Sequence, residues 1–170
     1  MTIKTKLKFD KYLKLMFILT YRKPSIIILT SIGVLMLISA SMTLFGVVDS
    51  YYKEGVSPKP PIAEIIIGFM FIIIFPLMTY LNARKMFSSS GRLQEEITYE
   101  FSDDRIKITG ETFKSEMDWT KTYKVLELND WILIYQNRIV ANVIPKELFG
   151  DNLNEFKAMI KSKNIKSKLK

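Results

Sequence analysis

The chain has 170 residues and a net charge of +8, with no cysteine and no histidine. Disulfides, thiolate nucleophiles and zinc ribbons are therefore excluded, and the commonest general base and transition-metal ligand are both missing. An enzyme is not expected, nor is a metal or other cofactor.

The charge is segregated. Residues 1–24 carry seven basic and one acidic side chain, and residues 151–170 carry six and two. Residues 93–150 carry seven basic against eleven acidic. Nucleic-acid binding wants a basic face on the folded part, and here that part is acidic. No nucleic-acid partner is expected.

In chain order, residues 1–9 contain TIKTKLKF, in which Lys4, Lys6 and Lys8 alternate with Ile3, Thr5, Leu7 and Phe9. Period two predicts a strand with one dry face. Residues 10–48 hold an amphipathic stretch and a first span. Asp10 is the expected N-cap, and Tyr12, Leu13, Met16, Phe17 and Thr20 form a stripe that Lys11 and Lys14 avoid. This stretch reads equally as a separate interfacial helix or as the lower part of one long helix. From Pro24 to Val48 no residue is charged, a run about 37 Å long as a helix.

Residues 49–63 form an irregular connector with three prolines, and Tyr51 and Tyr52 sit where an aromatic belt would lie. The second span falls in 64–87. Its uncharged run, Ile65 to Ala83, is about 28 Å long and contains Gly68 and Pro76, which is expected to bend it. The outer flanks hold more Lys and Arg than the connector, which places both termini in the cytoplasm. Lys11, Lys14, Arg22, Lys23, Arg84 and Lys85 are the candidate membrane-surface cations. Gly33, Ser39, Ala40, Ser41 and Gly46 give the first span small residues, suited to close helix packing within the hairpin or between copies in a homo-oligomer.

Ser88-Ser89-Ser90-Gly91 reads as a flexible join. A cytoplasmic domain over 92–163 follows, in which the apolar period becomes two. Strands are expected around Ile97–Phe101, Ile106–Ile108, Phe113–Trp119, Tyr123–Leu128, WILIYQ and IVANVI, separated by short polar turns. WILIYQ is apolar on both faces, as a central strand is. Pro145 is expected to stop pairing, and Asn152 with Glu155 matches a capping box for a last helix. A solvated basic tail, 164–170, ends the chain. The architecture expected is an α+β membrane protein: a two-helix transmembrane hairpin and a curved antiparallel sheet of six strands plugged by the helix. TIKTKLKF would cover one free edge as a seventh strand, with Ile3, Leu7 and Phe9 inward.

These motifs in order resemble the bacterial YcxB-like protein family. The features are the N-terminal strand before Asp10-Lys11-Tyr12, the two spans, ITYEFSDDRIKI, EMDWTKTYKVLE, WILIY and IPKELF. The resemblance implies a pleckstrin-homology-like cytoplasmic domain and no catalytic residues. Asp103-Asp104 and Glu95-Glu96 are the acidic doublets, and Asp103-Asp104, which could bind a metal or do acid–base work, reads first as solvated turn residues. Trp119 and Trp131 are the candidate domain aromatics, read first as packing. The expected function is a non-enzymatic binding or adaptor role at the membrane, with membrane lipid and a cytoplasmic protein as partners. The alternative is self-protection against a membrane-active bacteriocin, in which the spans and outer loop would act.

Overall fold

A computed structural model describes residues 1–47 and 60–169. They fall into two compact units, one of Met1–Leu7 with Ser90–Lys170 and the other of Lys8–Ser89. The expected connector, with Tyr51 and Tyr52, lies mostly outside the described residues.

The helical unit contains α1 (Phe9–Tyr21), α2 (Pro24–Leu44) and α3 (Ile62–Ser89). Pro24 opens α2, where its missing N–H is no loss, and the preceding Lys23 is extended. The amphipathic stretch is thus a helix of its own. It starts at Phe9 rather than after Asp10: Lys8 occupies the cap position and Asp10 lies in the first turn, still favourably near the helix N-terminus. Phe9 is therefore helical, not a strand residue, and its ring meets Tyr80 and Phe87 at 6.2 and 5.5 Å. Of the expected stripe Tyr12 is buried and Leu13, Met16, Phe17 and Thr20 are half-buried, while Leu15, outside the stripe, is fully buried.

Helix α3 continues through Pro76 and takes in Ser88 and Ser89, and the two units part between Ser89 and Ser90, within the expected join. Both α2 and α3 are long and apolar enough to cross a membrane. Their apolar side chains point outward, Leu35 being 63% and Ile66 62% exposed. A soluble core helix would bury such residues.

Gly33 and Gly68 explain how α2 and α3 pack. A Cβ at Gly33 would lie 2.9 Å from Phe71 Cβ and 3.0 Å from the Gly68 carbonyl oxygen. One at Gly68 would lie 3.0 Å from the Gly33 carbonyl oxygen and 2.8 Å from the Leu37 side chain. The two backbones touch, as small residues in membrane helices permit. Among the small residues noted above, Gly33 and Ala40 are buried in this contact whereas Ser39 is exposed. Gly33→Val is expected to force the helices apart at about 1–3 kcal/mol, and Ser39→Val to change stability by less than about 0.5 kcal/mol. Denaturant titration of the purified protein in detergent would measure both.

The second unit contains β1 (Thr2–Lys6), a short turn α4 (Gly91–Gln94), β2 (Glu96–Phe101), β3 (Arg105–Thr109), β4 (Lys114–Asp118), β5 (Lys124–Glu127), β6 (Trp131–Tyr135), β7 (Ala141–Pro145), α5 (Leu153–Ser162) and β8 (Ser167–Lys168). They make two four-stranded sheets, ordered β1-β2-β3-β4 and β7-β6-β5-β8, rather than one curved sheet of six or seven strands. The chain changes sheet between β4 and β5 through a 3-10 turn, Trp119–Lys121, which ends the ladder.

β1 pairs antiparallel with β2, Ile3 opposite Tyr99 and Thr5 opposite Ile97. Met1 extends the ladder: its ammonium donates to the Phe101 carbonyl at 3.0 Å, and its carbonyl accepts from Phe101 N at 2.8 Å. Ile3 and Thr5 are buried while Lys4 and Lys6 face water. The dry face is thus Ile3 and Thr5, with Leu7 half-buried and Phe9 elsewhere.

In the second sheet all of Trp131–Ile134 is buried, as a central strand requires. β7 begins only at Ala141, leaving Ile139 and Val140 in the turn. Pro145 does not stop pairing but closes β7 opposite Trp131, on an edge strand where a missing N–H is tolerated. The capping box does not form. A 3-10 stretch, Lys146–Asn152, leads directly into α5, and Asn152 is already helical with no side-chain cap bond. Nor is the basic tail simply solvated. Ser167–Lys168 add β8 parallel to β5, and Ile165 and Leu169 pack on the core. That core joins both sheets to α5 through a cluster of Phe101, Trp119, Phe149 and Phe156, with ring centroids 4.8–6.4 Å apart.

Candidate functional site

Where an end of each sheet comes together, the β unit has an open pocket of about 410 Å³. One wall is Thr5 and Leu7, then Ser90, Arg92 and Glu95 around α4. Ile97, Tyr99 and Ile108 form the floor, and Phe113–Ser115 with Gln136 and Val140–Val143 complete the rim. Leu7 and Ser90 are the two residues at which the chain leaves this unit, so the pocket wall is tethered at two points to the helices.

The β3–β4 turn builds one side. Glu95 reaches into it: its carboxylate accepts from Thr112 N at 3.0 Å and from Thr112 Oγ1 at 2.6 Å. These bonds, helped by the Arg92 charge, hold the Glu95 carboxyl below the usual carboxylate range. A Cβ at Gly110 would come within 2.4 Å of the Phe113 ring and 2.6 Å of Glu95 Oε2, so a side chain there would displace both. The Arg92 guanidinium lies 4.7 Å from the centre of the Phe113 ring. On the opposite rim Asn142 presents a buried Nδ2 with no hydrogen-bond partner among the described residues. Such an orphan donor costs about 1–3 kcal/mol until something accepts from it.

Arg92 and Lys114 supply two cations, and Asn142 supplies a donor. Hydrogen bonds hold the Glu95 carboxyl low and burial pushes the Tyr99 phenol up. Among the described residues no cluster of three or more acidic side chains could hold a metal ion.

The sequence-predicted residues lie outside this pocket. Trp119 is buried, stacks on Phe101 and donates Nε1–H to the Ser102 carbonyl at 2.9 Å. Trp131 is buried in the second sheet, its Nε1 without an acceptor among the described residues. Lys11, Lys14, Arg22, Lys23, Arg84 and Lys85 belong to the helical unit. There α1 packs on the end of α3 that carries Arg84 and Lys85, with Thr79 Oγ1 reaching Thr20 Oγ1 at 3.5 Å. Lys23 lines a small cleft together with Ala83. All six cations therefore lie near that end of the unit, and all but the half-buried Lys11 are exposed.

Sequence reasoning missed Glu95, Asn142 and Lys114 as a set. Glu95 stood out only as half of a carboxylate doublet, and nothing local marks its partner seventeen residues away.

Fold and site together define an α+β protein in which two long apolar helices are joined to a two-sheet unit with a polar-lined pocket. Residues 101–160, from the end of β2 into α5, match the family model described as YcxB-like protein. It is the family that the sequence motifs resemble. No curated protein and no solved structure matches the chain.

Proposed function

We propose that this is a non-enzymatic integral membrane protein in which α2 and α3 form a transmembrane hairpin that anchors a cytoplasmic binding or adaptor module. The module is of pleckstrin-homology-like type, two sheets closed by α5, with both termini on the same side. The pocket carries the reading. It joins two cations and an orphan amide donor, and its wall is where the chain departs for the helices. The outward apolar faces of α2 and α3 support the membrane anchor, and the six cations beside them suit an anionic leaflet.

Because the chain has no cysteine, a single engineered thiol reports without background. Thr120→Cys is expected to resist an impermeant thiol reagent in intact cells and to react after permeabilisation. Labelling in intact cells would place the module outside and end the proposal. For the pocket, a photo-crosslinking residue at Ser115 of the full-length protein is expected to capture a partner. Arg92→Ala with Lys114→Ala should lose that partner at equal expression, and unchanged capture would remove the pocket from the reading.

A further inference from the structure

The β6–β7 turn holds apolar side chains in the open. Ile139 is 89% exposed and Val140 50%, whereas the other isoleucines of this unit are buried or half-buried. The exposure is built in. Asn137 Oδ1 accepts from both Ile139 N and Val140 N at 2.8 Å, and Gln136 N donates to the Val140 carbonyl at 3.0 Å. Those three bonds tie the turn to its own backbone and leave the Ile139 side chain outside the core. Arg138 precedes it, exposed. Val140 also lines the pocket, so the tip continues into the wall that bears Arg92 and Lys114. The one carboxylate in that wall, Glu95, is already held by Thr112.

We propose that the tip Arg138–Ile139–Val140 docks into the headgroup layer of an anionic bilayer, with Arg92 and Lys114 at the adjoining pocket supporting it electrostatically. Two apolar side chains beside three cations match the boundary between acyl chains and anionic headgroups. Two exposed apolar side chains are few for a stable protein interface, which buries roughly 1,000 Å² or more. A contact this small cannot hold a free domain, but the tethers at Leu7 and Ser90 make docking intramolecular, where weak contacts suffice. The inference rests on the membrane anchor proposed above.

The test uses the full-length protein in vesicles of zwitterionic lipid, with and without an anionic lipid. Ile139→Cys carries an environment-sensitive fluorophore, and Thr120→Cys carries the same label as reference. With anionic lipid, the label at 139 is expected to shift to the blue and to be quenched by brominated acyl chains, while that at 120 stays aqueous. Arg138→Ala should weaken docking about fivefold, as loss of one basic residue near an anionic surface does. Val140→Asp in the Ile139→Cys background should return the label to water. An aqueous label at 139 overturns the proposal, as does equal quenching at 120. A label at 139 shielded from water yet not quenched by bromolipid also overturns it, because protein or a second copy would then cover the tip. If the chain fails to enter membranes at all, the anchor itself falls. An embedded chain with an aqueous tip refutes the docking alone.

Discussion

Ile3→Asp is expected to unfold the β unit. Ile3 is 4% exposed and sits opposite Tyr99 in a ladder that covers the edge of β2. A carboxylate there has no cation on its own face, since Lys4 and Lys6 point to water. Burying an uncompensated charge and deleting the isoleucine together cost about 4 kcal/mol or more. That is a large part of the roughly 5–15 kcal/mol that holds a domain folded. Both tryptophans of the chain are buried in this unit, so their emission reads its unfolding and not that of the helices. In Ile3→Asp the emission should already be red-shifted without denaturant, and hydrogen exchange at residues 97–101 should become rapid. Ile3→Val is the matched control, at about 0.5–1.5 kcal/mol, and Lys4→Gln should be nearly silent. If Ile3→Asp remained native by both probes, β1 would not be part of the working fold.

The same strand shows what the sequence made legible. Alternation over TIKTKLKF was enough to predict a strand and its wet face, because period two is a local property. Its end was not legible. Phe9 continues the alternation but is taken into α1, where Tyr80 and Phe87, some seventy residues on, offer it an aromatic pocket. The long apolar runs gave both helices, while the split at Arg22-Lys23-Pro24 was left open by the pattern. In the β unit the turns were readable from their Gly, Asn and Asp residues. What failed was the assignment of strands to sheets. Nothing local says that the chain changes sheet at Trp119, and this is why one curved sheet was expected where two are found. Asn152 and Glu155 had the right spacing for a cap. A 3-10 stretch arriving from Pro145 supplies α5 with a preceding turn, so the cap has no role. The tail looked solvated because three of its seven residues are lysines, yet Ile165 and Leu169 are enough to seat β8 beside β5. The pocket was hidden for the related reason that its polar members come from four separated segments.

The largest electrostatic effect is expected at Glu127. Its side chain is 1% exposed and accepts from Lys146 Nζ at 2.5 Å and Lys157 Nζ at 2.9 Å. One carboxylate at the end of β5 thereby ties down the start of the 3-10 stretch and the middle of α5. Those lysine side chains are themselves only 23% and 15% exposed, so removing the anion leaves two ammonium groups facing each other in a poorly hydrated place. Glu127→Ala is expected to cost about 3–5 kcal/mol, as breaking a buried ion pair does. Lys146→Met and Lys157→Met should each cost less, because the remaining lysine still neutralises the carboxylate. The couplings should be far from additive, since all three groups share one site. Replacing the three together, with Glu127→Leu, Lys146→Met and Lys157→Met, should recover much of the loss, because an apolar cluster avoids the desolvation that the charges suffer. Tryptophan-monitored urea unfolding of the five proteins would measure the whole set. Were Glu127→Ala to unfold at the wild-type midpoint, the triad would be carrying no weight, and α5 would be held by its apolar face, Leu153, Phe156, Met159 and Ile160.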